Sequence, residues 1–315
     1  MFTGYELEPI LNSGISQHGE QEKRSVALTS VLAAVGLTAF KIIVGVTTGS
    51  LGILAEAAHS GLDLVAALMT LFAVRISGKP ADHTHHYGHG KVENLSALFE
   101  TILLLMTCVW IMYEAIRRLV FHQIPLEVNI WSFLVMGTSI VVDISRSRAL
   151  YRVAHKFRSQ ALEADALHFS TDIWSSVVVI IGLICVMVGE RIPALSFLHH
   201  ADAVAAIGVA LIVLYVSGQL VMRTIHALLD VAPIGLERKI KIAVEGLPGV
   251  SNCHDVRMRY SGSQLFVDIH VLIDGNQTLK DAHNLTEEIE QAIQKLVPKA
   301  DVVVHPEPTP EPDDN

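Results

Sequence analysis

The chain has 315 residues, of which 51% are hydrophobic and only 17% charged, with a mean hydropathy of +0.44. An ordinary soluble domain carries about 25% charged residues, so the composition excludes a purely soluble globule. A net charge of −9 and a pI of about 5.9 exclude a protein that holds nucleic acid on a basic face. Three widely spaced cysteines, Cys108, Cys185 and Cys253, supply neither a disulfide framework nor a paired-cysteine metal clamp. The sixteen histidines are the anomaly, and their positions point to the chemistry.

Residues 1–25 are polar and acidic and lack the apolar core and small-residue cleavage site of a secretory signal. They are expected to form a cytosolic tail. From Val26 onwards six stretches are long enough to cross a hydrocarbon core, which needs roughly 20 residues of helix. They fall near 26–48, 51–76, 93–117, 128–147, 161–188 and 201–222. Residues 26–225 thus predict an all-α, six-helix transmembrane bundle. Its third span has Glu93, Glu100 and Glu114 inside or beside the apolar run, and Pro193 and His199-His200 mark a short loop between the last two. Eleven basic residues in loops and ends (Lys23, Arg24, Arg75, Lys79, Lys91, Arg146, Arg148, Arg152, Lys156, Arg158 and Arg223) flank one side of the bundle, against Arg117, Arg118 and Arg191 on the other. The positive-inside rule places both termini in the cytoplasm. The lack of organelle signals and long His-rich loops points to a bacterial cell (inner) membrane.

Beyond the last span the composition changes. Residues 236–315 hold fourteen acidic and eight basic side chains and no apolar run of spanning length. Residues 236–247 read as an amphipathic helix closed by Pro248-Gly249. Strands are expected at 254–260 and 265–273, joined by the turn signal Ser261-Gly262-Ser263. Phe266, Asp268 and His270 alternate with Val267, Ile269 and Val271, so one face is apolar. A second helix at 278–296 starts at Thr278, and a third strand follows at 301–305. This order predicts a small two-layer α/β domain over 226–306. The Pro- and acid-rich end, 307–315, is expected to be disordered.

The second span carries Glu56, His59 and Asp63; the fifth carries His168 and Asp172. Each His–Asp pair is spaced i, i+4 and shares a helix face. At 1.5 Å per residue both pairs lie about 12–18 Å into their helices, near the bilayer midplane, where ionisable groups cost a few kcal/mol each and mark function. Two imidazole nitrogens and two carboxylate oxygens suit a four-coordinate divalent transition ion, and the carboxylates cancel its charge. A local hydrogen-bonded contact would explain one such pair but not two at matching depth. The loop from Pro80 to Glu93 packs Asp82, His83, His85, His86 and His89 into eight residues, either a metal site or access funnel or a solvated polar loop. Lys41 reads as a snorkelling or paired residue, and Glu56 as a proton-moving group or a structural hydrogen-bond partner. Asp143 and Asp165 line an access vestibule, and Met69, Met106 and Met112 face lipid or packing.

The two HxxxD motifs, the His-rich loop ending in YGHGKVE and the ALLD sequence at 227–230 resemble the cation diffusion facilitator family over about residues 25–307. The resemblance implies a homodimer in the lipid bilayer that exchanges a divalent metal, most often zinc, for protons. It also implies a ferredoxin-like, metallochaperone-like cytosolic domain. Carried over by position, His59, Asp63, His168 and Asp172 form the transport site, and Asp82, His85 and His89 a loop site with Glu93 nearby. His254, His270, His283 and His305 are the cytosolic ligands at the dimer interface, with Cys253, Asp255 and Asp268 adjacent. Glu307 stands where many members have aspartate, and Lys91 and Asp230 match a charge pair linking the two parts.

Imidazole ligands favour zinc over oxygen-only ions, with Cd2+, Co2+, Fe2+ or Mn2+ as further passengers, and no thiolate among them suits copper(I). A membrane-bound metal sensor or non-transporting heterodimer partner would carry the same ligands. An intramembrane metalloenzyme would need an open coordination position and a base, typically HExxH, which the sequence does not contain. The expectation is therefore a transporter rather than an enzyme.

Overall fold

A computed structural model of the chain describes residues 7–121, 130–191, 201–298 and 300–310. The expected loop through Pro193 and His199-His200 and the last residues of the acidic end, 311–315, lie outside these. The chain divides after Thr224 into two compact units.

Among the described residues the first unit has six long helices: α1 (Leu7–Thr48), α2 (Leu51–Ser77), α3 (Lys91–Phe121), α4 (Ile130–Phe157), α5 (Gln160–Arg191) and α6 (Ala201–Leu228). Even the 27 residues of α2 give about 40 Å of helix, against a hydrocarbon core of roughly 30 Å. Two ends differ from expectation. Helix α1 starts at Leu7, so most of the polar amino-terminal segment continues the first helix rather than preceding it. Helix α4 continues ten residues past 147, to Phe157. Apolarity limits only the part of a helix that meets lipid, and the two extensions support each other outside it. Lys156 Nζ lies 2.6 Å from Glu22 Oε2, and a Cβ on Gly19 would come within 2.9 Å of the Phe157 ring.

Helices α1 and α2 are joined by Gly49 and Ser50. Gly49 takes φ +66°, which only glycine adopts freely. The Ser50 hydroxyl accepts the Ile53 N–H at 3.4 Å as a helix cap. Helices α1, α2, α4 and α5 then share one core of Ala27, Val31, Leu71, Val74, Leu150, Leu162 and Phe169. Helix α3 packs on α5 and α2, with Ala97 meeting Ala164 and Leu220. Many large apolar side chains, including Ile43, Leu62, Phe72, Trp110, Val141 and Ile212, face outwards, as a lipid-facing surface requires. Among the described residues, four helices are long and apolar enough to cross a membrane by themselves, in α1, α2, α3 and α6. Helices α4 and α5 carry Asp143, Arg146, Asp165 and His168, and these are buried inside the bundle rather than shown to lipid.

The second unit contains α7 (Leu236–Glu245), β1 (Val250–Ser261), β2 (Gln264–Ile273), α8 (Leu279–Leu296) and β3 (Asp301–Pro308). The sheet order is β1-β2-β3, antiparallel between β1 and β2 and parallel between β2 and β3. The hairpin is tighter than expected. Ser261 and Gln264 pair directly across Gly262-Ser263, with Gly262 at φ +59° as the first loop residue. Ile240 and Val244 of α7 and Leu285, Ile289 and Ile293 of α8 cover one sheet face, against Cys253, Val267, Ile269 and Val271. The expected disordered end is corrected at its start. Glu307 and Pro308 belong to β3 and pair with Leu272 and Ile273. Pro306 and Pro308 are tolerated because β3 is an edge strand and the two residues lose their N–H on the same side.

Ile289 is fully buried at the centre of this core. Ile289→Ala is expected to destabilise the C-terminal unit by about 2–4 kcal/mol, measured as a lower midpoint for its unfolding.

Candidate metal centres

In the bundle, α2 and α5 bring the two HxxxD motifs face to face. His168 Nε2 lies 3.0 Å from Asp63 Oδ1 and 3.7 Å from Asp172 Oδ2. His59 Nε2 lies 3.8 Å from Asp172 Oδ1 and 3.9 Å from Asp63 Oδ1. Ligand atoms around a tetrahedral ion at 2.0–2.1 Å are about 3.3 Å apart, so these separations bracket what a bound ion needs. His59, Asp63 and Asp172 offer one ligand atom each within 4.8 Å of one another. His168 completes the group through its hydrogen bond to Asp63. The His59 side chain is 41% exposed and the other three 11–16%, so the group opens on the His59 side only.

The charges around it are paired. Lys41 is buried and paired rather than snorkelling, with Nζ 2.7 Å from Ser60 Oγ and 3.2 Å from Glu56 Oε2. That contact gives Glu56 a structural partner. Arg146, counted as a loop charge in the sequence, is instead buried: its guanidinium donates to Ser30 Oγ at 3.1 Å and to Asp143 at 3.4 Å, over the Phe169 ring. Ser30 in turn donates to Asp165 at 3.4 Å. Asp143 and Asp165 therefore belong to a buried network linking α1, α4 and α5. The spacing Asp143-x-x-Arg146 was its only sequence signal.

The loop centre stands on a turn. The N–H groups of Thr84 and His85 donate to Asp82 Oδ1 at 2.8 and 2.7 Å, and these two bonds hold the Asp82 carboxyl well below the usual carboxylate range. Asp82 lies 3.5 Å from His85 Nδ1 and 3.4 Å from His89 Nε2, and the two imidazole rings are 4.2 Å apart. These three residues form a second group of converging ligand atoms. Glu93 is not part of it. It is buried and accepts from Lys23 at 2.8 Å, from Ser77 at 2.8 Å and from Ser159, tying together α1, α2, α3 and the start of α5. Lys23, read only as a flanking charge, was missed as its partner.

In the second unit, strand register builds the third group. His254 pairs with His270, and His270 with His305, in one row across the sheet. Glu307, two residues along β3, lies on the same face. Its Oε1 is 2.8 Å from His270 Nδ1 and 3.8 Å from His305 Nε2, and its Oε2 is 3.3 Å from His254 Nε2. The His270 hydrogen bond lowers the pKa of Glu307, favouring its ionised form. His283 is not brought to this group within one chain: it lies on α8, 68% exposed and 3.4 Å from Glu287. Cys253 points into the core on the opposite face, where burial first and Glu245 second push its thiol up to about 11. Asp255 sits in a β-bulge at φ +47°, 3.8 Å from Arg257, and Asp268 is paired with Arg257 in register. Lys91 opens α3, and Asp230, after α6, lies 3.8 Å from Arg259.

A ligand specific to the folded state stabilises it, so zinc is expected to raise the unfolding midpoint of the C-terminal unit. His254→Ala combined with His270→Ala is expected to abolish that rise, as followed by thermal unfolding of the full chain with and without zinc.

Residues 27–229 match the family described as the cation efflux transmembrane domain, and residues 235–309 the cation efflux protein cytoplasmic domain. The chain is 33% identical over 285 residues to the cation-efflux pump FieF of Cronobacter sakazakii, covering 90% of this chain and 91% of that pump. It is 32% identical over 292 residues to the FieF pump of Yersinia enterocolitica, covering 91% and 93%. The metal-bound C-terminal domain of the CzcD transporter from Thermotoga maritima matches at 35% identity and a TM-score of 0.22, over 23% of this chain and 86% of that domain. The buried His–Asp group between α2 and α5 thus belongs to a membrane protein of the cation efflux, or cation diffusion facilitator, family.

Proposed function

We propose that this chain exports a divalent metal cation, zinc foremost, across the bacterial cell (inner) membrane in exchange for protons. It works as a homodimer with both termini in the cytoplasm. The observation that carries this is the convergence of His59, Asp63, His168 and Asp172 between α2 and α5, each imidazole 3.0–3.9 Å from the two carboxylates. Two nitrogens and two carboxylates favour zinc over the hard ions that take oxygen alone. Asp82, His85 and His89 gather the ion at the cytoplasmic loop, and His254, His270, His305 and Glu307 bind it at the dimer interface of the C-terminal domain.

Proton exchange follows from the ligand set. An imidazole binds metal only when neutral, and its unperturbed pKa of about 6.5 lies between cytosolic and acidified external pH. Facing the cytosol, the four groups present two negative charges to an arriving ion. Facing a more acidic exterior, protons compete for the same lone pairs and release it. The protons that stay behind spare the empty site from carrying two bare carboxylates back through a low-dielectric bundle.

In sealed vesicles the purified protein is expected to accumulate zinc over many turnovers when a proton gradient is imposed. Binding that stops at a fixed stoichiometry would instead identify a sensor. Zinc affinity of the bundle site, measured with the loop and C-terminal ligands removed, is expected to fall as pH drops from about 7.5 to about 5.5. A flat profile, with transport indifferent to the gradient, would indicate an uncoupled carrier.

His59→Asp replaces a borderline nitrogen with a hard oxygen and adds a charge, so discrimination for zinc over manganese is expected to weaken. Zinc, cadmium and manganese transport rates unchanged by the substitution would remove His59 from the ligand set.

A further inference from the structure

Helix α4 grips the turn of α5 that carries His168. Ser147 Oγ donates to the Ala166 carbonyl at 3.0 Å and lies 3.0 Å from Ser170 Oγ, so it holds α5 two residues before and two after His168. Its neighbour Arg146 is 6% exposed and places its guanidinium over the Phe169 ring, 3.5 Å from the ring centre. That guanidinium is anchored from two helices. Nη1 lies 3.4 Å from Asp143 Oδ1, while Nε and Nη2 donate to Ser30 Oγ of α1 at 3.3 and 3.1 Å.

The ring that Arg146 covers stands against the imidazole. Phe169 is 1% exposed, and its ring meets that of His168 edge to face, with centres 5.5 Å apart at 78°, within the range of a favourable aromatic pair. His168 Nε2 in turn lies 3.0 Å from Asp63 Oδ1. An unbroken series of contacts thus runs from Asp143 and Ser30 through Arg146 and Phe169 to the imidazole that faces Asp63. Holding α4 to α5 does not require it. Ser147 and the apolar side chains Leu150, Val153 and Leu162 already join the two helices, and a buried guanidinium is costly to desolvate. What arginine adds is a planar, permanently charged group that stacks on an aromatic face and restrains the ring beneath it.

We propose that Arg146 is a positioning residue for the metal centre between α2 and α5: by fixing the Phe169 ring it holds the His168 imidazole where Nε2 can bind a divalent cation. Neither Arg146 nor Phe169 would touch the ion. Because the effect falls on a nitrogen donor, it favours zinc over manganese, which is suited by oxygen ligands. This inference rests on the reading of His59, Asp63, His168 and Asp172 as one ion site.

The test uses the full chain carrying Asp82→Ala, His254→Ala and His270→Ala, so that added metal binds in the bundle. Zinc and manganese affinities are measured by titration, and the visible absorption of bound Co2+ reports whether the ion is four-coordinate. Phe169→Leu keeps the space apolar but removes the ring. It is expected to weaken zinc about 10–100-fold, manganese far less, and to diminish the four-coordinate cobalt bands. Phe169→Tyr keeps the ring and is expected to retain zinc affinity and the bands. Arg146→Lys keeps a charge for Asp143 without the plane; it is expected to shift both readouts as Phe169→Leu does, and carries the test if that variant does not fold. In a His168→Ala background neither substitution is expected to change zinc affinity further. Zinc and manganese weakened alike, zinc affinity unchanged in folded Phe169→Leu and Arg146→Lys, or a loss that persists without His168 would each overturn the proposal and leave these contacts as helix packing. His168→Ala alone leaving zinc affinity unchanged would instead remove His168 from the site, and with it the reading on which this inference stands.

Discussion

An ionised group inside an apolar bundle must find an opposite charge or a proton, and that requirement organises the first unit. His59, Asp63, His168 and Asp172 can stand together only because each imidazole has a carboxylate within 4 Å. Around them Lys41 is held by Glu56 and Ser60, Arg146 by Asp143 and Ser30, and Lys23 by Glu93. Breaking a buried pair by removing one partner costs about 3–5 kcal/mol, so the buried contacts of Lys23 with Glu93 and of Arg146 with Ser30 and Asp143 tie α1 to α3 and α4. His59, Asp63, His168 and Asp172 inherit that rigidity. The convergence of these four side chains is thus a consequence of how the bundle resolves its charges.

The C-terminal unit meets a different constraint. Its cluster of histidines and Glu307 lies on the exposed face of a three-stranded sheet, where register, rather than charge burial, decides who meets whom. His254, His270 and His305 come from three strands and become neighbours because their residues pair directly. The β-bulge between His254 and Arg257 absorbs an irregularity on the bulged strand without disturbing that row. Glu307 reaches the row because β3 continues beyond His305, so the extra strand length and the ligand group are one feature.

The i, i+4 spacing of His59–Asp63 and His168–Asp172 made the bundle centre legible, since helical periodicity fixes which residues share a face. The loop centre was legible from the density of histidine. The alternation of Val267, Ile269 and Val271 with His270 likewise gave the buried and exposed faces of β2. What stayed hidden depends on partners distant in sequence. Lys23 and Glu93 are separated by 70 positions and Ser30 and Arg146 by 116, and no local pattern joins them. Arg146 looked like a loop charge because a basic residue near a span end ordinarily faces water. The end of β3 was misread because Pro306 and Pro308 signal a break unless the strand is known to be an edge.

The three groups differ most in how they meet water, and this separates their chemistry. Asp82 and His85 are about half exposed, His254 and His270 about a third, and Asp63 and His168 almost enclosed. An exposed group exchanges ions quickly but gains little from its charges, because water screens them. An enclosed one gains much more per charge, and an ion there must be balanced at every step. In the proposed exchange, the enclosed group is therefore the one where metal and proton movement would depend on each other.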